Sequence, residues 1–371
     1  MRGPARAAEA PPAAAPTEVG SALHLCHNYR QLLHALVDAQ RTAGPVTIVY
    51  LQDDLPVPEA VQSPLADLCP NARLMFLYDR HMIARFANLP GWFPGIARRN
   101  LRLPMGGGPL PRLWCPQEVA GEHFDIGYIY HPGFFSAKVF AGLCRHVVMR
   151  ESGMNNYIEL SISPFKAVLR ALTGLSPRRQ VWGEERWIDA IEVEAPEALP
   201  SSVQHKARRM QFADVLDQAP SGLIREAVRL LAPAVGDIDL PAGSAILLTQ
   251  PIDELGLCTP AEKREIYGYL AEALSRRGYR VFVKNHPREE TYRLPGTDEM
   301  PHGFPIETWP LVHSRQFALA VALHSASLAQ SSTKFAARKI QLLGGLDVDC
   351  ASLDDWKRLI GESLERHFAH I

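Results

Sequence analysis

The feature that most constrains the fold is a strand–helix–strand pattern in the C-terminal third of the chain. A short apolar run, Ala245–Leu248, stops before Pro251. Pro260 then begins a stretch whose apolar residues recur at three- and four-residue spacing, which is typical of a helix. Gly278 follows that stretch, as helix C-termini favour, and Tyr279–Val283 is a second apolar run. The pattern predicts a βαβ unit with parallel strands.

Polar residues are concentrated directly after the strands of this unit. The first loop carries Gln250, Asp253 and Glu254, and the second carries Lys284, His286, Pro287 and Arg288. A third apolar run, Phe317–Leu323, is followed by Ser325 and Ser327. Parallel strands bring their carboxyl ends to one edge of a sheet, where ligands of open α/β sheets bind. We therefore expect these side chains to form one site.

The N-terminal half repeats the alternation of strands and helices. Apolar runs such as Val46–Leu51 alternate with amphipathic stretches, and His146–Arg150 is a further predicted strand. That strand is followed by Glu151, Gly153 and Asn155. Polar residues and a glycine at a strand end indicate a second candidate site, although a solvated turn would give the same pattern.

The length of the chain predicts two domains, because 371 residues exceed one ordinary hydrophobic core. The predicted fold class is α/β, with two domains that face each other across a cleft. We predict a disordered Ala/Pro-rich tail at 1–20 and an N-terminal α/β domain with its linker at 21–240. A C-terminal α/β domain at 241–345 is followed by a helix at 346–371. The last strand is predicted at Ile340–Leu343.

Charge and cysteine spacing exclude several classes of function. The net charge is −1, so a nucleic-acid partner is not expected. The six cysteines contain no CxxC pair, which argues against a structural zinc site. No apolar stretch reaches 18 residues, so we expect a cytoplasmic protein, with peripheral membrane association left open. The Gly106–Gly108 triplet fits a surface turn better than a phosphate cradle, because it does not link a strand to a helix.

Five ordered motifs together resemble those of bacterial sialyltransferases. They are Cys26–Leu36, Glu151–Asn156, Pro251–Glu254, His286-Pro287 and Ser325–Ser327. The resemblance is to the lipooligosaccharide sialyltransferases of glycosyltransferase family 52 and to the related capsular polysialyltransferases. One departure is Ser152, which stands where the family pattern has a second acidic residue after Glu151.

The resemblance implies a GT-B fold of two Rossmann-like domains, with the acceptor on the N-terminal side and a CMP-sugar on the C-terminal side. The implied reaction moves sialic acid, or a related acidic sugar, to a hydroxyl of a cell-surface glycan with inversion. A carboxylate would act as the base and His286 would hold the leaving phosphate. The resemblance also implies a cytoplasmic step of lipopolysaccharide or capsule biosynthesis.

Two carboxylates remain open as the base. Asp253 matches the position used by the family 52 enzymes, and Glu151 matches the one used by the polysialyltransferases. Residues implied in substrate binding are Pro287, Ser325, Ser327, Gln250, Lys284, Arg288, Glu254, Gly153 and Asn155. No metal or other cofactor is required on this interpretation, since the strings Asp237–Asp239 and Asp347–Asp349 fit turns.

Two other classes of function stay open at this point. One is a GT-B transferase or epimerase that uses a UDP-sugar. The other is a non-catalytic glycan-binding or assembly protein on the same scaffold, which Ser152 in place of an acid would favour. The sequence predicts neither the acceptor, the linkage nor the oligomeric state.

Overall fold

A computed structural model describes residues 20–87, 115–172, 175–220, 222–287, 289, 291–329, 332–345, 348, 350 and 352–369. The predicted disordered tail, apart from Gly20, lies outside these residues, and so does the Gly106–Gly108 turn. Asp347, Asp349 and Arg288 also lie outside the described part of the chain.

The first domain is built on a seven-stranded sheet in which each neighbouring pair of strands is parallel. Its strands are β1 (Ala22–Cys26), β2 (Val46–Leu51), β3 (Ala72–Leu77), β4 (Phe124–Ile129), β5 (Cys144–Arg150), β8 (Ala190–Val193) and β9 (Ala207–Arg209). The strands β6 (Leu160–Ser161) and β7 (Arg179–Gln180) form a separate two-stranded antiparallel sheet. Their order is β3-β2-β1-β4-β5-β8-β9. The chain order therefore reverses between β1 and β4, as in a Rossmann fold.

The helices of the first domain follow the same alternation. They are α1 (Tyr29–Arg41), α2 (Glu59–Asp67), α3 (Asp79–Ala87), α4 (Phe135–Ala141), α5 (Pro164–Leu172), α6 (Phe212–Asp217) and α7 (Leu223–Leu231). Helix α1 begins at Asn28, whose side chain accepts a hydrogen bond from the backbone N–H of Gln31 at 3.0 Å. This cap fixes the turn from β1 into α1, and so it places the first turn of α1 at the carboxyl edge of the sheet.

The second domain repeats the design with five parallel strands. They are β10 (Ser244–Leu248), β11 (Arg280–Lys284), β12 (Asp298–Glu299), β13 (Phe317–Ala322) and β14 (Ala336–Gln341), in the order β12-β11-β10-β13-β14. Its helices are α8 (Pro260–Arg276), α9 (Trp309–Val312), α10 (Ala326–Ala329) and α11 (Leu353–Phe368). Here the chain order reverses between β10 and β13, which places the predicted site residues beside a topological switch point.

Helix α8 begins where the sequence places a strong start signal. The Thr259 side chain accepts from the backbone of Glu262, and the Glu262 carboxylate accepts from the Thr259 backbone, which is a capping box. The helix buries Ile266, Leu270 and Leu274 on the face that packs against the sheet. The βαβ unit predicted from the sequence is confirmed.

The two domains pack directly against each other through an apolar interface. One core cluster contains Tyr29 and Leu55 of the first domain together with Phe304 and Trp309 of the second. Gly303 is at the closest approach, since a Cβ there would come within 2.6 Å of the Leu55 side chain. Its φ of +75° also favours glycine. The predicted fold class, α/β with two Rossmann-like domains, is confirmed.

Two boundaries differ from the sequence prediction. The first sheet extends to β9, because Ala207–Arg209 pairs with β8 and adds a strand at the edge where the sequence predicts none. The last strand begins at Ala336 rather than at Ile340, and it pairs with β13 from Phe317 onward. Within the described residues, no helix is long and apolar enough to cross a membrane.

Candidate active site

The predicted second-domain residues that the structure describes lie in the loops at the carboxyl edge of its sheet. Leu248 at the end of β10 lies beside Lys284 of β11 and beside Ala322 of β13. Gln250 links the two sides of the switch point, because its side-chain oxygen accepts from the backbone N–H of His324 at 2.9 Å. The structure thus brings the three predicted loops together, as the βαβ pattern required.

The backbone of His286 is held in place by two acceptors. Its N–H donates to Glu289 Oε2 at 2.9 Å and lies 3.1 Å from Thr249 Oγ1, and Thr249 itself donates to Glu289 at 2.5 Å. Glu289 is buried and forms an ion pair with Lys263 of α8. The next residue, Pro287, has its carbonyl oxygen 3.0 Å from the ring of His302. This network presents the His286-Pro287 loop at the end of β11.

Asp253 belongs to the same network. Its Oδ1 lies 2.7 Å from Lys263 Nζ, so Lys263 bridges Asp253 and Glu289. Partial burial acts to raise the pKa of Asp253, but the hydrogen bond and charge of Lys263 outweigh it and hold the pKa below its usual value. A carboxylate with a lowered pKa is a weaker proton acceptor, and this one is already paired.

Lys284 is a second buried cation at this edge, besides Lys263. Its residue is 8% exposed, and among the described residues its Nζ forms neither a hydrogen bond nor an ion pair within 4 Å. Burial lowers the pKa of Lys284 to about 8, against the raising effect of the carboxylates of Glu307 and Glu289. A desolvated ammonium without a close protein partner is suited to receive an anionic ligand.

The two predicted serines make different contacts. Ser327 Oγ donates to Glu307 Oε1 at 2.7 Å, while the backbone N–H of Ser325 donates to the side chain of Gln341 at 3.2 Å. Glu254 lies on the exposed surface of the loop that follows β10.

The first domain contributes Glu151 at the carboxyl end of β5. Glu151 is 3% exposed, and its Oε2 accepts from the Tyr157 hydroxyl at 2.5 Å and from the backbone N–H of Glu194 at 2.8 Å. Gly153, with φ at +132°, turns the chain into a short 3₁₀ helix over Met154–Asn156. Asn155 is exposed in that turn, and its neighbour Asn156 is the residue buried beneath it.

Charged side chains join the carboxyl edges of the two domains. Arg30 of α1 lies 3.3 Å from Glu194 and 3.8 Å from Glu307, so it bridges the first domain and the second. Glu194 Oε2 also accepts from the backbone N–H of Ser332 in the second domain at 2.9 Å. Burial raises the pKa of Glu194. The positive charge of Arg30 acts to lower this pKa, and the negative charge of Glu151 acts to raise it. Glu151 and Ser327 therefore lie on opposite sides of one charged cluster.

Several residues of this cluster were missed by the sequence reasoning. Arg30, Glu194 and Tyr157 belong to three separate segments and were not singled out as site residues, although Arg30 lies within the Cys26–Leu36 motif. Glu307, which precedes the helix at Trp309, is indicated by the sequence only as a weaker candidate for a cytidine or ribose contact.

Comparison with known proteins gives a family and a set of distant structures. The model of the family described as alpha-2,8-polysialyltransferase (POLYST) matches residues 128–343, which is more than half of the chain. No curated protein sequence is a significant match. Among solved structures, spinosyn rhamnosyltransferase SpnG complexed with thymidine diphosphate is similar at 15% identity and a TM-score of 0.36, over 81% of this chain and 75% of that one. The glycosyltransferase SsfS6 of Streptomyces sp. SF2575, complexed with thymidine diphosphate, is similar at 12% identity and a TM-score of 0.37, over 93% of this chain and 96% of that one.

Proposed function

The chain belongs to the alpha-2,8-polysialyltransferase family, and from this premise we propose that it transfers sialic acid, or a related acidic sugar, from a CMP-activated donor to a glycan hydroxyl. The observation that carries the proposal is that each domain presents a buried charged group at a strand end. The first domain has the carboxylate of Glu151, and the second has the ammonium of Lys284. The residues between them, Arg30 and Glu307, hold the two edges together. A cytoplasmic location with peripheral contact to the inner membrane is part of this proposal.

In the proposed mechanism, Glu151 takes the proton from the acceptor hydroxyl. The hydroxyl oxygen then forms a bond to the anomeric carbon of the donor sugar, while the bond from that carbon to the phosphate oxygen of CMP breaks. The negative charge that develops on the phosphate is stabilised by Lys284 and by His286, with Ser325 as a further donor. Attack and departure on opposite faces invert the anomeric centre.

The distribution of charge favours Glu151 over Asp253 as the base. Asp253 is paired with Lys263, and its lowered pKa makes it a weak proton acceptor. Through Lys263 and Glu289 it supports the backbone of His286 instead. We assign Asp253 to positioning of the phosphate-binding loop.

The nucleotide specificity can be measured by thermal unfolding. We expect CMP and CMP-sialic acid to raise the melting temperature by several degrees at concentrations well above Kd, because a ligand that binds only the folded state stabilises it. UDP and UDP-sugars should give little change, and CMP-Kdo serves to separate the two acidic sugars. Stabilisation by UDP alone would favour a UDP-sugar enzyme, and the absence of stabilisation by every nucleotide would favour a non-catalytic protein.

The proposal also predicts that transfer does not depend on a divalent metal. Lys284 and His286 supply the positive charge and hydrogen bonds that a metal would otherwise bring to the departing phosphate. We expect the initial rate of transfer from CMP-sialic acid to be unchanged by EDTA. Loss of activity in EDTA that Mn²⁺ or Mg²⁺ restores would contradict this prediction.

A further inference from the structure

We propose that Tyr157 is a positioning residue that orients the Glu151 carboxylate for proton transfer; the inference rests on the proposed function above. The phenol hydroxyl donates to Glu151 Oε2 at 2.5 Å. The backbone N–H of Glu194 donates to the same oxygen at 2.8 Å. The Tyr157 oxygen also lies 3.4 Å from the backbone N–H of Ala195.

The two donors on Oε2 fix the rotation of the carboxylate. With Oε2 occupied by both, Oε1 is the oxygen assigned to receive the proton of the acceptor hydroxyl. Burial of the phenol, together with the adjacent negative charge of Glu151, raises the pKa of Tyr157 well above its ordinary value. The phenol therefore remains protonated, as a donor, over the whole range in which an enzyme of this kind is assayed.

The loop between the two residues is built to bring them together. The backbone N–H of Ser152 donates to the side-chain oxygen of Asn156 at 2.9 Å, which closes the loop on itself. Gly153 allows the turn, since its φ of +132° is unfavourable for other residues. Asn156 is fully buried beneath the turn. The turn thus brings Tyr157 into contact with the carboxylate of Glu151, six residues earlier in the chain.

A carboxylate that rotates freely loses alignment with the attacking hydroxyl, and small misplacements of catalytic groups are costly. Removing the phenol oxygen should therefore lower kcat rather than raise KM. The effect should also depend on the carboxylate, because Tyr157 acts through it. These two signatures separate positioning from a general contribution to stability.

The test is Tyr157→Phe, alone and combined with Glu151→Gln, in the full chain with CMP-sialic acid and a sialylated acceptor. We expect Tyr157→Phe to lower kcat by about 10- to 100-fold, with the KM for the acceptor changed by less than about twofold. In the Glu151→Gln background the same change should have almost no further effect on the residual rate. Tyr279→Phe, a phenol near the C-terminal helix, is the matched control.

The outcomes separate this inference from the proposed function. If Glu151→Gln inactivates the enzyme but Tyr157→Phe keeps the wild-type kcat, the positioning role of Tyr157 is wrong and the assignment of Glu151 stands. If Tyr157→Phe lowers the rate by the same factor in both backgrounds, its effect is structural and the inference is overturned. If Glu151→Gln itself retains activity, the proposed base is wrong.

Discussion

Replacing Glu151 by Gln is expected to lower the rate of sialyl transfer by about 10³-fold or more, while leaving the affinity for CMP unchanged. General-base catalysis contributes about 10²- to 10⁴-fold, and an amide cannot accept the proton. Gln has nearly the same size, and its carbonyl oxygen can still accept from Tyr157 and from the backbone of Glu194. The measurement is a pair of assays: the initial rate with saturating CMP-sialic acid, and CMP binding by calorimetry.

The matched control is Asp253→Asn, which changes the other candidate carboxylate. It breaks the ion pair with Lys263 that supports the His286 loop through Glu289, so we expect weaker CMP binding and a lower melting temperature. The residual kcat at saturating donor should stay far above that of Glu151→Gln. The reverse result, with Asp253→Asn inactive but binding CMP normally, would identify Asp253 as the base and contradict our assignment.

The parts of the fold that could be predicted are those with a strong local signal. Val46–Leu51 is apolar except for Thr47, and the structure has β2 at those residues because the strand is buried on both faces. The start of α8 was predictable from Pro260 alone, and the capping box at Thr259 adds to it. By contrast, β9 consists of Ala207–Arg209 with two exposed arginines, so it has no apolar pattern to indicate a strand. It forms because the edge of a sheet is available beside it.

The candidate site could be predicted only where a charged or polar side chain directly follows a strand. Glu151, Lys284 and His286 each stand just after or at the end of an apolar run, and parallel topology brings such ends to one edge of each sheet. Arg30 and Glu307 meet across the domain boundary, and their contact depends on how two independent sheets pack. Tyr157 reaches Glu151 only because of the turn at Gly153. Such contacts depend on tertiary geometry, which local patterns do not encode.

The affinity for CMP is expected to fall as the pH rises above about 8, and Lys284→Met is expected to remove most of that affinity together with its pH dependence. Burial lowers the pKa of Lys284 to about 8, so the ammonium loses its proton within an accessible range. An anion binds the protonated form, and linkage then gives a decrease of about tenfold in affinity between pH 7 and pH 9. The second pKa of a phosphate monoester is about 6, so the phosphate of CMP is mostly dianionic from pH 7 upward and does not cause a decrease in affinity.

The neighbours of Lys284 allow the source of this pH dependence to be identified. The charged groups that face it are the carboxylates of Glu307 and Glu289, which act to raise the pKa of Lys284. His302 is an imidazole near Lys284. Burial lowers the pKa of His302 and the charge of Lys284 lowers it further, so the ring stays neutral between pH 7 and pH 9. Calorimetric titration of CMP at pH 7, 8 and 9 should show the decrease in wild type and in the surface control Lys357→Met. If Lys284→Met binds CMP as tightly as wild type, or keeps the same pH dependence, the leaving phosphate is bound elsewhere. Lys284 would then not contact the donor, and the proposed roles of Glu151 in the first domain and Lys284 in the second would be wrong.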